Sequence, residues 1–343
     1  MMNRFGKELG EYLNFNNISD KEFAERIGTT PKNLNDIING KIALSTNMIY
    51  NISFITSIPV NYIESVEANF KMDQTISKFI SERNITIKNY IKKFNYKELS
   101  EKYDIKYTDS RNDYDILKDI LRFLRITNPS VIYKENNSIF YKSKNDKPEI
   151  MALWLEKCYK ETLMQNVDEY KNENINKIVI EINNMANDNI FDQQKLIKLF
   201  NQNGIFLAIV DDLSGGKIRG AFKVLNDKPA IFLTKKHKRI ADVYFALLHE
   251  LAHCQSDFNR AKSGSIISEI NVKSNEDFEK RADATAFNWM IPDDLYNKIK
   301  SAKMDSNEMS IVKSFFVYRL AYDNIISYSS NEYQRYNILL KEY

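Results

Sequence analysis

Between about Arg239 and Gln255 the chain reads IADVYFALLHELAHCQ, with Val243, Leu247 and Leu251 at successive four-residue steps. That spacing predicts a helix, and what this helix carries constrains the chain more than any other stretch. The whole sequence of 343 residues has three histidines, and two of them, His249 and His253, stand four apart here with Glu250 beside the first. Residues four apart on a 3.6-residue helix differ by about 40°, so both imidazoles leave the same side and can share one tetrahedral zinc ion. Glu250 is then placed to act as general base toward water at that ion without being a ligand. The alternative is a pair of core histidines in an apolar helix.

A catalytic zinc takes three protein ligands and keeps a fourth position open. The third histidine, His237, lies in the basic run Lys235–Arg239 and is expected to be solvated or near substrate, not a ligand. Residues 276–292, EDFEKRADATAFNWMIP, read as a second helix, with Glu279, Ala282, Asp283 and Ala286 on one face. The two alanines permit close helix approach, so Glu279 is the expected third ligand. Asp283, one turn on, is the expected acceptor for the outer N–H of a ligating histidine. Glu276, one turn before, is the rival ligand, and the same face also reads as surface carboxylates beside an alanine packing stripe. Cys254, about 100° around the helix from His253, reads as a core thiol, as does Cys158 beside Trp154 and Leu155.

After Gly204 the periodicity is that of strands, at 205–210, 218–225 and 229–234, the last two joined at Asn226-Asp227-Lys228. Strand 229–234, close before the histidine helix, is the expected partner of an extended substrate. Upstream, residues 115–126, about 147–168 and about 193–203 read as helices, whereas the apolar residues of 72–91 are too irregularly spaced to define one. The fold class expected is mainly α with a small β-sheet (α+β). The plan is a helix-turn-helix bundle over 1–70, a helical scaffold over 71–190 and a zincin-like metallopeptidase domain over 191–343.

In the N-terminal region, Phe5, Leu9, Tyr12 and Leu13 mark a first helix. Ser19 and Glu22 form a capping box for a second, which carries Phe23, Ala24 and Ile27 inward and ends at Gly28. Thr30 and Pro31 open a third, with Leu34, Ile37 and Ile38 inward, closed by Asn39-Gly40. Two short helices about a glycine turn make a helix-turn-helix. Residues 1–70 hold six Lys/Arg against eight Asp/Glu, a local charge of −2, which predicts weak nucleic-acid affinity unless a dimer doubles the contacts. A protein-docking role is the competing expectation.

Two resemblances accompany these residues. Ser19–Ser45, SDKEFAERIGTTPKNLNDIINGKIALS, resembles the phage-repressor (Cro-type, XRE) helix-turn-helix family. It implies that Pro31, Lys32, Asn33, Asn35 and Asp36 face DNA bases in the major groove and that Lys41 meets a phosphate. From about Leu117 onward the chain resembles the ImmA/IrrE zinc metallopeptidases, through Gly204-Ile-Phe, Gly220, Ile231-Phe-Leu-Thr234, Leu248-His-Glu-Leu-Ala-His253, Glu279-x-x-Ala282-Asp283 and Met290-Ile-Pro292. Where that family often has a glutamate before Ala282 this chain has Arg281, and the aromatic common after Asp283 is displaced to Phe287. The resemblance implies a zinc metallo-endopeptidase that acts on a regulatory protein, a helix-turn-helix repressor or a toxin, and thereby controls gene expression. The alternative is a transcriptional repressor or antitoxin with a structural or vestigial metal site. A homodimer is expected in either case.

No run of 18 apolar residues and no signal-peptide pattern occurs, so a cytoplasmic location without membrane partners is expected. Two cysteines in so long a chain exclude a disulfide-framework protein, and a net charge of +3 gives no bulk signal for nucleic acid.

Overall fold

The computed structural model describes residues 4–105, 112–135, 147–269, 276–302 and 312–340. It is mostly helical with a small four-stranded mixed sheet, and it divides into two compact units: residues 1–91 with 110–130, and residues 92–109 with 131–343.

The first unit contains α1 (Phe5–Phe15), α2 (Asp20–Arg26), α3 (Pro31–Ile38), α4 (Thr46–Thr56) and α5 (Val60–Glu82). Both expected N-cap side chains are in place, whereas the Glu22 carboxylate, expected to return to the Ser19 amide, pairs with Arg26. Ser19 Oγ accepts from the Glu22 backbone N–H at 3.2 Å and Thr30 Oγ1 from that of Asn33 at 3.2 Å, satisfying amides that a helix start leaves open. Gly28, at φ +71°, makes the left-handed turn after α2. Phe5, Leu9, Leu13, Phe23, Ala24, Ile27 and Leu34 form the core with Ile49, Ile52 and Ile63. The irregular apolar spacing past Met72 spans two helices, the end of α5, which runs for 23 residues, and a short helix over 87–92, so no single periodicity fits it. The inward positions of α5 are partly polar, and buried Glu67 accepts from the Phe5 backbone N–H at 3.3 Å. After α6 (Ile87–Lys92) the chain forms α7 (Tyr96–Lys102), which belongs to the second unit, and returns to the first with α8 (Asp113–Phe123), whose buried Lys118 pairs with Asp73 of α5 at 2.6 Å.

In the second unit, α9 (Ser130–Glu135), α10 (Pro148–Thr162), α11 (Ile175–Asn187) and α12 (Gln193–Gln202) precede β1 (Phe206–Val210), β2 (Ile218–Leu225) and β3 (Lys228–Thr234). Helix α13 (Ile240–Ser256), α14 (Phe258–Ala261), β4 (Ile266–Glu269), α15 (Asp277–Met290), α16 (Asp293–Ala302), α17 (Lys313–Tyr322) and α18 (Asn331–Tyr336) complete it. The sheet order is β1-β3-β2-β4. Strand β3 runs parallel to β1 and antiparallel to β2, and β2 is antiparallel to β4. The β2–β3 hairpin turns on Asn226 and Asp227, both with positive φ, as a two-residue turn between twisted strands requires.

This order corrects one expectation. Strand β3, residues 228–234, is bonded on both sides, so its backbone has no edge to offer a substrate. The outer edge of β1 is met by a side chain: the Gln165 amide donates to the Leu207 carbonyl at 2.8 Å and accepts from the Leu207 N–H at 3.3 Å.

Helix α13 packs on β2 and β3 and contacts α11, α15 and α17. Residues Ile240 to Cys254, apart from half-buried Asp242, are buried, so the helix is enclosed on every side and carries His249, Glu250 and His253 into the interior. Its N-terminus is tied down by the chain after α18. The Ile240 N–H donates to the Ile338 carbonyl at 3.0 Å, and the Ala241 N–H to Oδ1 of fully buried Asn337 at 3.0 Å. The Leu340 N–H returns to the Lys238 carbonyl at 2.8 Å. Asp242 accepts from the Tyr333 hydroxyl at 3.0 Å.

Candidate metal centre

His249 and His253 project from one side of α13, and Glu279 reaches them from α15, the helix that packs on α13 through Ala282 and Ala286, both buried. The two Nε2 atoms are 3.1 Å apart, and each is 3.3 Å from a Glu279 carboxylate oxygen. All three side chains are buried, and their donor atoms lie within 4.8 Å of one another, close enough to hold one metal ion. Glu276, the rival ligand, is the exposed N-cap residue of α15, whereas Glu279 is turned inward.

The outer ring nitrogens decide what the inner ones can do. His249 Nδ1 is 2.7 Å from Asp283 Oδ1, and His253 Nδ1 is 2.9 Å from Asp257 Oδ2. An ionised carboxylate only accepts, so each Nδ1 carries a proton and each Nε2 presents a lone pair. Two imidazole nitrogens and a carboxylate thus converge on one small volume, which is the chemistry of a metal donor set. In the metal-free chain a proton is the substitute. Burial works against charge on His253, but its hydrogen bonds to Asp257 and Glu279 and the nearby Glu250 outweigh burial and raise the imidazole to about 9. Burial likewise opposes ionisation of Glu279, yet hydrogen bonds and positive charge from both imidazoles hold it well below the usual carboxylate range.

The carboxylates behind the histidines are themselves anchored. Asp283 Oδ2 accepts from the Tyr322 hydroxyl at 2.7 Å, and Arg219 Nη2 lies 3.6 Å from Asp283 Oδ1. Asp257 Oδ1 accepts from Arg281 at 2.7 Å. That bond explains what an arginine does directly before Ala282: it holds the carboxylate that orients His253.

Glu250 is fully buried, and neither of its oxygens has a hydrogen-bond partner among the described residues. Burial raises its proton affinity, opposed by the positive charge of His249, His253 and Arg219 and assisted by the negative charge of Glu279. The side chain lies where β2 has no side chain: a Cβ on Gly220 would come within 2.7 Å of Glu250 Oε1 and 2.9 Å of its Cγ. Directly across the ladder from Gly220 stands Ser268 of β4, on the same face, with a buried hydroxyl that also has no partner among the described residues.

His237 is not in the group that could hold a metal ion, as expected of it. It is half-buried in the connection before α13, and burial, with Arg219 and Lys236 nearby, lowers its imidazole to about 3, so it is neutral. Cys254 and Cys158 are buried core thiols, Cys254 Sγ lying 3.4 Å from the Tyr170 hydroxyl. In the first unit Pro31, Lys32 and Asn35 are exposed, while Asn33 and Asp36 are half-buried. Asn33 Nδ2 donates to Thr29 Oγ1 at 2.8 Å, and Asp36 pairs with Lys41 at 3.2 Å.

Three residues of the centre, Asp257, Arg219 and Tyr322, fall outside the set that the motifs define. Asp257 continues the four-residue step of His249 and His253 and is findable on that ground, whereas Arg219 and Tyr322 arrive from distant elements with no local signal. Asp257→Ala is expected to lower metal affinity about 10–100-fold in a chelator competition, with the helical signal unchanged. Unaltered affinity would show that Asp257 does not orient His253.

No family model, no curated protein and no solved structure matches the chain. No helix among the described residues is long and apolar enough to cross a membrane.

Proposed function

We propose that this chain is a zinc-dependent metallo-endopeptidase whose N-terminal unit is a DNA-binding helix-turn-helix. In this reading it cleaves a regulatory protein, a helix-turn-helix repressor or a toxin, to control gene expression. The observation that carries the reading is Glu250: a buried carboxylate without a hydrogen-bond partner among the described residues, adjacent in sequence to His249, one of two imidazoles whose Nε2 atoms converge with Glu279. Such a group is unfavourable to bury unless it has a task.

His249, His253 and Glu279 would hold the zinc, with Asp283 and Asp257 fixing the ring orientations. Bound there, zinc supplies Lewis acidity, which polarises a carbonyl and lowers the pKa of water. Glu250 takes a proton from the attacking water and returns it to the leaving amine, a transfer its raised proton affinity assists. Gly220 leaves the room in which the Glu250 carboxylate sits. Burial of all four groups is equally a property of structural metal sites, so the competing reading, a repressor or antitoxin with a structural metal, differs only in giving Glu250 nothing to do.

For the N-terminal unit, exposed Lys32 and Asn35 at the start of α3 support DNA contact. Pairing of Lys41 with Asp36 and the local charge of −2 support modest affinity. Selection from random duplexes is expected to yield a short inverted repeat bound by a dimer and weakened steeply by salt. Lys32→Ala with Asn33→Ala should relax sequence preference, by about 1–3 kcal/mol for each base that is no longer read, without changing metal content. If no duplex is enriched at low salt, the unit is a protein-docking module instead, and residues 1–70 should then retain a protein partner.

A further inference from the structure

Successive residues of a strand point to opposite faces of its sheet, but Arg219 and Gly220 both address α13. The Arg219 guanidinium carbon lies 5.2 Å from the centre of the Phe245 ring, and the missing Cβ of Gly220 marks the Glu250 carboxylate. The cause is a break in register: Ile218 pairs with Glu269 and Gly220 with Ser268, so Arg219 is an extra residue in β2. Such bulges re-aim a side chain. Here the bulge turns a long cation off its alternating course and onto the helix of the metal centre.

The guanidinium so delivered is under-used. Arg219 is only 9% exposed, its Nε has no hydrogen-bond partner among the described residues, and its ion pair among them, to Asp283, is 3.6 Å long, beyond hydrogen-bonding distance. Asp283 feels its charge but takes no hydrogen bond from it, since its two oxygens already meet His249 and Tyr322. A guanidinium offers five donors in a planar fork matched to paired oxygens, and burying it with the fork unfilled is unfavourable. Its neighbours are the Phe245 ring face and the carboxylates of Asp283 and Glu250, and neither carboxylate accepts a hydrogen bond from the fork.

We propose that Arg219 is a substrate-contacting residue that donates hydrogen bonds to an anionic oxygen of the substrate beside Glu250. This rests on the metallopeptidase reading above. The oxygen has two chemical sources, the tetrahedral centre formed when water adds to the scissile carbonyl and a carboxylate of the substrate. In the first case Arg219 would neutralise charge that develops on the carbonyl oxygen while Glu250 takes the proton. In the second it would select where an acidic residue or chain end sits.

The test uses the full chain loaded with cobalt, whose visible absorption reports ligands at the centre, with inorganic phosphate as the tetrahedral probe and acetate as the planar one. Wild type, Arg219→Met and Arg219→Lys are compared for cobalt content and for anion affinity. All three are expected to hold cobalt equally, and anion affinity should fall about tenfold or more in Arg219→Met, with part recovered in Arg219→Lys. A larger loss for phosphate assigns the tetrahedral oxygen, and a larger loss for acetate assigns the carboxylate. Should Arg219→Met fail to fold, Arg219→Lys alone decides, because it keeps the charge but lacks the fork. Equal anion affinity in the variants, or no anion binding by the wild type, overturns the proposal. Cobalt loss confined to the Arg219 variants also overturns it and makes Arg219 a support of Asp283. A wild-type chain that takes up no cobalt defeats the metal-centre reading itself.

Discussion

Glu250→Gln is expected to abolish peptide cleavage, by about 10²–10⁴-fold for the loss of a general base, while metal content and fold persist. The amide has the shape of the carboxylate, so it fits the space left by Gly220, but it cannot accept the proton of water. A second readout follows from burial. The carboxylate is fully buried, with no partner among the described residues, so replacing it by a neutral group should leave thermal stability equal or higher. Candidate substrates are the regulators encoded beside the gene, incubated with wild type and variant and analysed for new termini. A Glu250→Gln chain that performs as wild type in cells sinks the peptidase reading and leaves the structural-metal regulator.

His249→Ala or His253→Ala should reduce bound zinc from about one per chain to none after dialysis, measured by elemental analysis, since two ligands do not hold the ion as three do. Glu279→Ala should weaken binding strongly, and full retention would remove Glu279 from the ligand set. The affinity has a definite pH dependence. With His253 raised to about 9 in the metal-free chain, the metal must displace a proton at neutral pH. Affinity should therefore climb about tenfold per pH unit for one proton released, levelling off above pH 9 and collapsing toward acid. A pH-independent affinity would mean that His253 is not a ligand.

Those parts of the fold governed by short-range rules are legible in the sequence. The caps at Ser19 and Thr30, the hairpin at Asn226-Asp227, the three strands before α13, and the shared face of Glu279 and Asp283 all follow from local spacing and turn chemistry. What escapes is set by tertiary contact. Strand β4 has only Ile266–Glu269, too few residues to establish alternation, and is a strand because β2 offers it a ladder. Helix α5 is hidden because polar Glu67 and Asp73 take inward or pairing positions that only Phe5 and Lys118 explain. The place of β3 in the middle of the sheet cannot be read from its own residues, because strand order depends on which edges meet. Arg219 is illegible for the same reason: only the register against β4 shows it to be the extra residue.

The tie between α13 and the segment after α18 governs the order in which the centre can be completed during synthesis. His249, Glu250 and His253 leave the ribosome well before Asn337 and Ile338, whose oxygens receive the Ala241 and Ile240 amides at the start of their helix. Until those residues emerge, the first turn of that helix has its amides open and its docking incomplete. Ribosomes stalled just short of Asn337 should therefore carry nascent chains with all the metal ligands exposed to the cell and the metal only loosely kept. In this chain, the helix that carries the histidines has its first amides satisfied only once residues 337 and 338 are in place.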